Sequence, residues 1–391
     1  MKSASLALSN GFKGTICASG DLADFADIWP ATDQPGTSRC FVFQCADFLS
    51  VWCDTIGRAR HTAAKFVAIL DDRGNPAALL PLGVERKFGV RVLSFLDGGV
   101  ADYNCPVLFP AGEQLAGAAM KEVWASLARM SADFDVVLLE KMPEAVQDLN
   151  NPLVTPASQR FSHSGYFTTL QSNWTDFVRR LPYAQDSRRN LRRLSELGKV
   201  EFTIAATAEE RARFLAAMMA QKSRRYVQTR GIDSFDRPGY RDFFKEATSR
   251  LAQRGILHLS ALTLDGKVLA AHWGYVVGTR FYYLMPSYEF EWHRYSPGRL
   301  LLHKLLEWST TNGLTIFDQG IGDEEYKARY CDGTIVLCQD EFALTYRGKA
   351  SLLSRNAKRA VQASPLGPRL QRARLLFRRA VAKLGVGRAS H

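Results

Sequence analysis

Among its 391 residues the sequence contains no Cys-x-x-Cys pair and no His-Glu-x-x-His run. Its seven cysteines are scattered and odd in number, which argues against a disulfide framework and against a zinc site, and for a reducing compartment. No apolar stretch approaches the roughly 18 residues needed to span a bilayer. The opening "MKSASLALSNGFKG" carries too short an apolar run for a secretory signal, with Lys13 close behind. The expectation is a metal-free cytoplasmic protein. Acidic residues are missing altogether from Arg347 to the end, where twelve Lys or Arg account for the whole formal charge of +12. The basic character therefore belongs to an appendage and says little about what the main body binds.

Apolar content is that of a globular chain, and the length suits two domains. The most informative stretch is "RYSPGRLLLHKLLEW", Arg294 to Trp308. Ser296 reads as an N-cap and Pro297 as the first helical residue; Leu301, Leu305 and Trp308 give one apolar face, and Asn312-Gly313 the stop. Gly298 costs roughly 1 kcal/mol relative to alanine inside a helix, and glycine in a first turn admits a close neighbour. That neighbour is either another part of the chain or a ligand anion.

Upstream, Ile256–Leu264, Val268–Val277 and Arg280–Tyr288 read as an antiparallel meander, with Asp265-Gly266 as its first tight turn. Leu314–Gly320 follows the helix as a parallel crossover strand. Ligands of such units bind beyond the carboxyl ends of the strands, where Ser296–Arg299 falls. The same order recurs earlier in Ala64–Leu70, Ala77–Arg86, Arg91–Gly98, a helix over 112–130, and Phe134–Met142. Between the halves, "SRRNLRRLSELGKV" (Ser187–Val200) reads as a helix capped by Ser187. Its Arg188, Arg189, Arg192 and Arg193 form either a solvated face or a contact to substrate phosphates. A further helix over 208–224 leads into "QKSRRYVQTRGID", read as a basic loop.

A meander, a capped crossover helix and a following strand resemble the core of GNAT acetyltransferases. "YSPGRLLLHKLLEW" followed by "FDQGIGDEEYKARY" (Phe317–Tyr330) is similar to the signature of the BioF2-like, or CelD-like, acetyltransferase family, associated with polysaccharide biosynthesis. "FLDGGVADYNCPVL" (Phe95–Leu108) resembles that family's first-domain Asp-Tyr segment, and "RRNLRRLSELGKV" its central helix. The family is in turn similar to the Fem aminoacyltransferases, which place two GNAT-like domains in tandem. The resemblance implies an α/β (α+β) fold of tandem GNAT-like domains with mixed, mostly antiparallel sheets. Its domains would be 1–165 and 166–346, followed by a basic, partly helical tail over 347–391. It implies acyl transfer, with acetyl-CoA or another acyl-CoA as co-substrate and no metal, to an amine or hydroxyl on a small, lipid-linked or polysaccharide acceptor. Ser296, Gly298, Arg299 and Leu300 would hold the cofactor phosphates. This loop departs from the Q/R-x-x-G-x-G/A pattern of GNATs, since Tyr295 and Leu300 replace the first and last positions. Two alternatives stay open, a Fem-like use of aminoacyl-tRNA and a degenerate fold serving as a scaffold.

Acyl transfer needs a base for the nucleophile, stabilisation of the oxyanion and a proton for the leaving group. Asp318, at the carboxyl end of its strand, is the leading base or orienting acid, and equally a loop cap. Tyr326 and Tyr330 are candidates to protonate a leaving thiolate, or packing residues. Lys327 suits a phosphate or carboxylate. Arg189, Arg193, His272 and Tyr330 are candidate substrate contacts, with His272 also readable as a core histidine. In the tail, Ser364–Gly385 reads as a basic amphipathic helix. It would place the protein at an anionic inner-membrane face, dock on the body, or bind nucleic acid.

Overall fold

The computed structural model describes residues 1–32, 37–87, 89–171 and 173–363, so the tail helix expected over Ser364–Gly385 lies outside the described residues. The chain opens with β1 (Lys2–Ala7), β2 (Lys13–Ser19) and α1 (Ala46–Trp52). A meander of β3 (Ala63–Asp71), β4 (Pro76–Lys87) and β5 (Val90–Phe95) follows, then β6 (Val107–Leu108), α2 (Ala118–Met130) and β7 (Val136–Pro143). Three short pieces, β8 (Ala145–Val146), β9 (Leu149–Asn150) and β10 (Gln159–Arg160), lead out of this half. The second half begins with β11 (Gly165–Thr169), α3 (Trp174–Arg180), α4 (Ala184–Ser195), β12 (Val200–Ile204), α5 (Ala208–Arg230) and α6 (Tyr240–Gln253). Its meander is β13 (Leu257–Leu264), β14 (Lys267–Val277) and β15 (Arg280–Tyr288), followed by α7 (Pro297–Thr311) and β16 (Ile316–Ile321). The described chain closes with α8 (Lys327–Tyr330), β17 (Gly333–Ile335), β18 (Leu337–Ala343) and α9 (Tyr346–Ala363).

The duplicated order is present in both halves. β3-β4-β5-α2-β7 matches β13-β14-β15-α7-β16, and in each the crossover strand pairs parallel to the last meander strand. Local chemistry explains the turns. Asp265 and Gly266 both take positive φ, 46° and 80°, as a two-residue hairpin demands. α5 runs past the expected end at Arg224 and stops at Gly231, which adopts φ 73°. Its last two turns are too polar to show a helical period, so "QKSRRYVQTRGID" reads as loop while it is largely helix. α4 also starts earlier than expected, at Ala184, so Ser187 is buried within it and caps nothing.

The sheets exchange strands between halves. One sheet has the order β1-β2-β3-β4-β5-β7-β18-β10, and the other β12-β13-β14-β15-β16-β11-β17. β11, from the start of the second half, sits beside β16, while β18 crosses back to pair with β7. The range 166–346 therefore ends in a strand of the first sheet. Periodicity cannot reveal this, because an alternating strand carries no mark of its partner.

One apolar core spans both halves. Phe48 of α1 meets Phe243 of α6 edge-to-face at 5.3 Å, and the same cluster takes in Trp52, Met218, Trp273 and Tyr282. A second core lies between α7 and its sheet, built on Leu301, Leu305, Phe281 and Phe317.

His258 and His272 are buried beside this second core with both ring nitrogens of each unpartnered. Burial pushes His258 down to about 3, and drives His272 well below its ordinary value. The unfolded chain binds these protons near pH 6.5 while the fold does not, so stability falls as pH drops below that value. Denaturant titrations are expected to show a loss between pH 7 and pH 4. For His258→Phe that loss is smaller by on the order of 3 kcal/mol. An unchanged pH slope in the variant rules this out.

Candidate active site

α7 begins at Pro297, but its start is not built as the sequence suggests. Ser296 takes a left-handed conformation, φ 53°, and its side chain caps no backbone N–H. Its hydroxyl instead accepts from Arg299 Nη2 at 3.2 Å. The Ser296 carbonyl receives both Arg299 N–H and Leu300 N–H, at 3.0 and 3.1 Å, so neither is free for an anion. The close neighbour of Gly298 is Tyr288, since a Cβ there would lie 3.2 Å from its ring. Arg299 is laid over the ring of Tyr183, 4.9 Å from its centroid. The four residues expected to cradle phosphates are mostly committed to one another and to neighbouring rings.

The opening in the sheet lies one layer away. β15 and β16 pair at only three positions, ending at Tyr282–Asp318, and then part. β16 continues beside β11, while among the described residues the same edge of β15 has no ladder partner beyond Tyr282. Into this wedge comes Asp102 from the first half, whose Oδ2 accepts Ile321 N–H at 3.1 Å. Its other close neighbour is Gly320, where a Cβ would fall 2.0 Å from that oxygen. Only glycine fits there, and φ 69° at Gly320 favours it further. Burial, reinforced by the charge of Asp318, pushes Asp102 up to about 6 against the pull of Lys141 and Lys327.

Lys222 reaches the same region from α5. Burial brings its ammonium down to about 8; Arg230 and Lys327 push the same way, and Glu324 and Asp102 oppose. It also lines a cavity of about 370 Å³ at the carboxyl end of β15, with Arg225, Gln228, Ser287 and Tyr288. Lys327 is buried; its ammonium donates to the Ile321 carbonyl at 2.9 Å and pairs with Glu324 at 3.0 Å. It ties down the end of β16 and does not present a free cation.

The proton-accepting role given to Asp318 does not fit its surroundings. Asp318 is fully buried and accepts from Tyr103 Oη at 2.7 Å, Arg280 Nη1 at 2.7 Å and Gly320 N–H at 2.9 Å. A carboxylate so occupied holds an ion pair, and its task is positioning.

Residues 183–328 match the family profile described as "Acetyltransferase (GNAT) domain", and they hold the α7 start, the parting strands and Asp318. That stretch is similar to a GNAT domain. Among solved structures the chain is similar to FemX, with a TM-score of 0.55 at 11% identity, covering 81% of this chain and 94% of that one. It is also similar to a conserved protein of unknown function from Bacteroides thetaiotaomicron, with a TM-score of 0.51 at 14% identity, covering 84% and 100%. No curated protein matches the sequence. At such identities these likenesses show the fold, an α/β pair of GNAT-like halves with mixed sheets.

In the second half the remaining expected residues scatter. His272 is fully buried and stacked on Tyr283 at 4.8 Å, out of reach of any ligand. Tyr330 is buried too, bonded through its hydroxyl to His303 at 2.8 Å. Tyr326 is partly exposed and its hydroxyl is raised, chiefly by burial. Arg189 is exposed and paired with Asp186 at 2.8 Å, and Arg193 is exposed on the same helix. Two residues of the wedge received no role from the sequence. Asp102 belongs to the Asp-Tyr segment, and Lys222 falls where the expected helix over 208–224 runs into the stretch read as a basic loop. A usable signal existed for Lys222, because Phe214, Met218, Lys222 and Tyr226 form one helical stripe whose first two members are buried.

The hub at Asp318 predicts where its variants act. Asp318→Asn leaves the Arg280 guanidinium without its counter-charge and is expected to cost about 3 kcal/mol in urea unfolding. Tyr103→Phe removes one hydrogen bond and is expected to cost about 1–2 kcal/mol. Wild-type stability in both variants counts against the hub.

Proposed function

We propose that the protein is an acyltransferase that moves an acyl group, from a thioester such as acetyl-CoA, to an amine or hydroxyl. The observation that carries this reading is the buried carboxylate of Asp102 at the wedge where β15 and β16 part, with Lys222 lining the cavity at the carboxyl end of β15. Asp102, at about 6, is a carboxylate near neutral pH that is still basic enough to take a proton from the attacking group. Lys222, at about 8, is largely an ammonium there, and an acid close in strength to the thiol it would protonate as the leaving group departs. The unpaired edge of β15 offers backbone N–H groups to the developing oxyanion. The cavity beside Lys222 gives the donor a place at the carboxyl end of β15, with Arg225 as a phosphate contact.

The acceptor then enters from the first-half side, where Asp102 stands. A scaffold with no chemistry has no need of a carboxylate and an ammonium shifted toward each other in this way. Use of aminoacyl-tRNA as donor is a second reading, favoured by the exposed Arg188, Arg189, Arg192 and Arg193 on α4.

Thiol release from acetyl-CoA, measured against a panel of amines and hydroxyl compounds, tests the first reading. The rate requires Asp102 unprotonated and Lys222 protonated, so it rises through about pH 6 and falls through about pH 8. Asp102→Asn is expected to lower turnover by roughly 10²-fold and remove the acid limb, with donor affinity unchanged. Lys222→Gln is expected to remove the alkaline limb. Wild-type turnover in Asp102→Asn would dismiss the assignment, and transfer seen only with aminoacyl-tRNA would move the donor to the second reading.

A further inference from the structure

At the amino-terminal end of β15 lies a larger cavity, of about 600 Å³, between Cys40–Cys45 of the first half and the β14–β15 turn with Arg280 and Tyr282. Two thiols line it. Cys40 Sγ and Cys45 Sγ stand 3.9 Å apart, Cys40 half-buried and Cys45 buried. Arg39 and Arg280 are the charged residues of its wall, each paired with a carboxylate behind it, Asp148 and Asp318. A partly exposed thiol beside a second sulfur is open to small oxidants.

Both ends of this short segment are fixed. Arg39 exchanges two backbone hydrogen bonds with Leu108, at 2.7 and 2.9 Å, immediately before Cys40. Cys45 precedes α1 and its carbonyl accepts the first helical N–H, from Leu49 at 3.1 Å. Between them the turn is held to both halves of the protein. Gln44 Nε2 donates to the Tyr103 carbonyl at 2.8 Å, and Val42 N–H donates to Tyr282 Oη at 3.4 Å. The five-residue span that carries the two sulfurs is thus fixed at both ends and in its middle. Joining them needs an S–S distance of about 2.0 Å, a closure of about 1.9 Å that rotation at Cys40 can largely supply.

We propose that Cys40 and Cys45 are a reversible dithiol–disulfide site that reacts with peroxides. The Cys40 thiolate attacks one peroxide oxygen, the O–O bond breaks, and Cys40 becomes a sulfenic acid as hydroxide leaves. Cys45 sulfur then attacks the Cys40 sulfur; the S–S bond forms, the S–O bond breaks, and the oxygen departs as water with the Cys45 proton. Two thiols and one peroxide give one disulfide and two waters when the oxidant is hydrogen peroxide. Cys45 suits the second role by position, since it is buried behind Cys40 with its sulfur 3.9 Å from the Cys40 sulfur.

The site is wired to the rest of the molecule through Phe41, the residue after Cys40. Its ring packs on Tyr103 at 4.6 Å, beneath the Arg280 guanidinium at 5.5 Å. Both of those groups hold Asp318. Oxidation therefore pulls on the hub that fixes the two halves, whatever reaction the wedge performs.

The test uses the full chain with hydrogen peroxide under native conditions. The expected result is a loss of two titratable thiols, an intact mass lower by two hydrogens, and a Cys40–Cys45 cross-link in peptide maps, all reversed by dithiothreitol. Cys40→Ser abolishes the cross-link. Cys45→Ala, folded by circular dichroism, stops at a sulfenic acid trapped on Cys40 by dimedone. Cys105, whose thiol donates to Gln44 Oε1 at 3.2 Å, is the nearby competitor, and Cys105→Ser is expected to leave the reaction intact. An unchanged thiol count, a cross-link through Cys105, or loss of the reaction in Cys105→Ser each overturns the proposal.

Discussion

The buried ion pair between Asp318 and Arg280, closed by the Tyr103 hydroxyl, is the constraint on which the arrangement of the two halves rests. It joins the last meander strand of one half, the crossover strand beside it, and the Asp-Tyr segment of the other half. Such a pair gains little over a well-packed apolar contact in overall stability, but it is intolerant of misplacement. A shift that separates Tyr103 from Asp318 leaves a charge in the core short of a partner. The pair thus specifies one geometry, and Asp102, the residue just before Tyr103, is delivered into the wedge as a result.

The opening expected at the α7 start lies instead at the carboxyl end of β15. The helix start is packed, with Tyr288 against Gly298 and Arg299 against Tyr183. The parting of β15 from β16 supplies the opening, and the cations near it come from α5. Leu300, in place of the small residue of the usual loop, is buried within the α7 core. Its bulk belongs to packing, and the altered loop follows from that.

The duplicated meander and crossover were legible because they are local. Alternating strands, Asp265-Gly266 and the Pro297 start all follow from neighbouring residues. The wedge was not legible, because Asp102, Lys222 and Gly320 meet only after the halves close on each other. Nothing at position 102 announces a neighbour at position 321. The end of α5 was lost for a different reason: its exposed turns are charged, and a charged helix carries no hydrophobic period. Lys222 sat on the stripe that would have revealed it.

Strand exchange has a consequence for how the chain acquires its fold during synthesis. β7 acquires its neighbour β18 from about two hundred residues further on, so the first sheet is left with an unpaired edge until nearly the whole chain has emerged. β11, made just after the first half, must likewise wait for β16. Neither half can be finished before the other, and an N-terminal fragment cut between them exposes a long apolar strand edge, the kind of surface that pairs with other chains. The repeated order of elements is thus built into a single unit of folding. Its two halves are not interchangeable parts, and a truncation anywhere before Ala343 removes a wall from the half that seems complete.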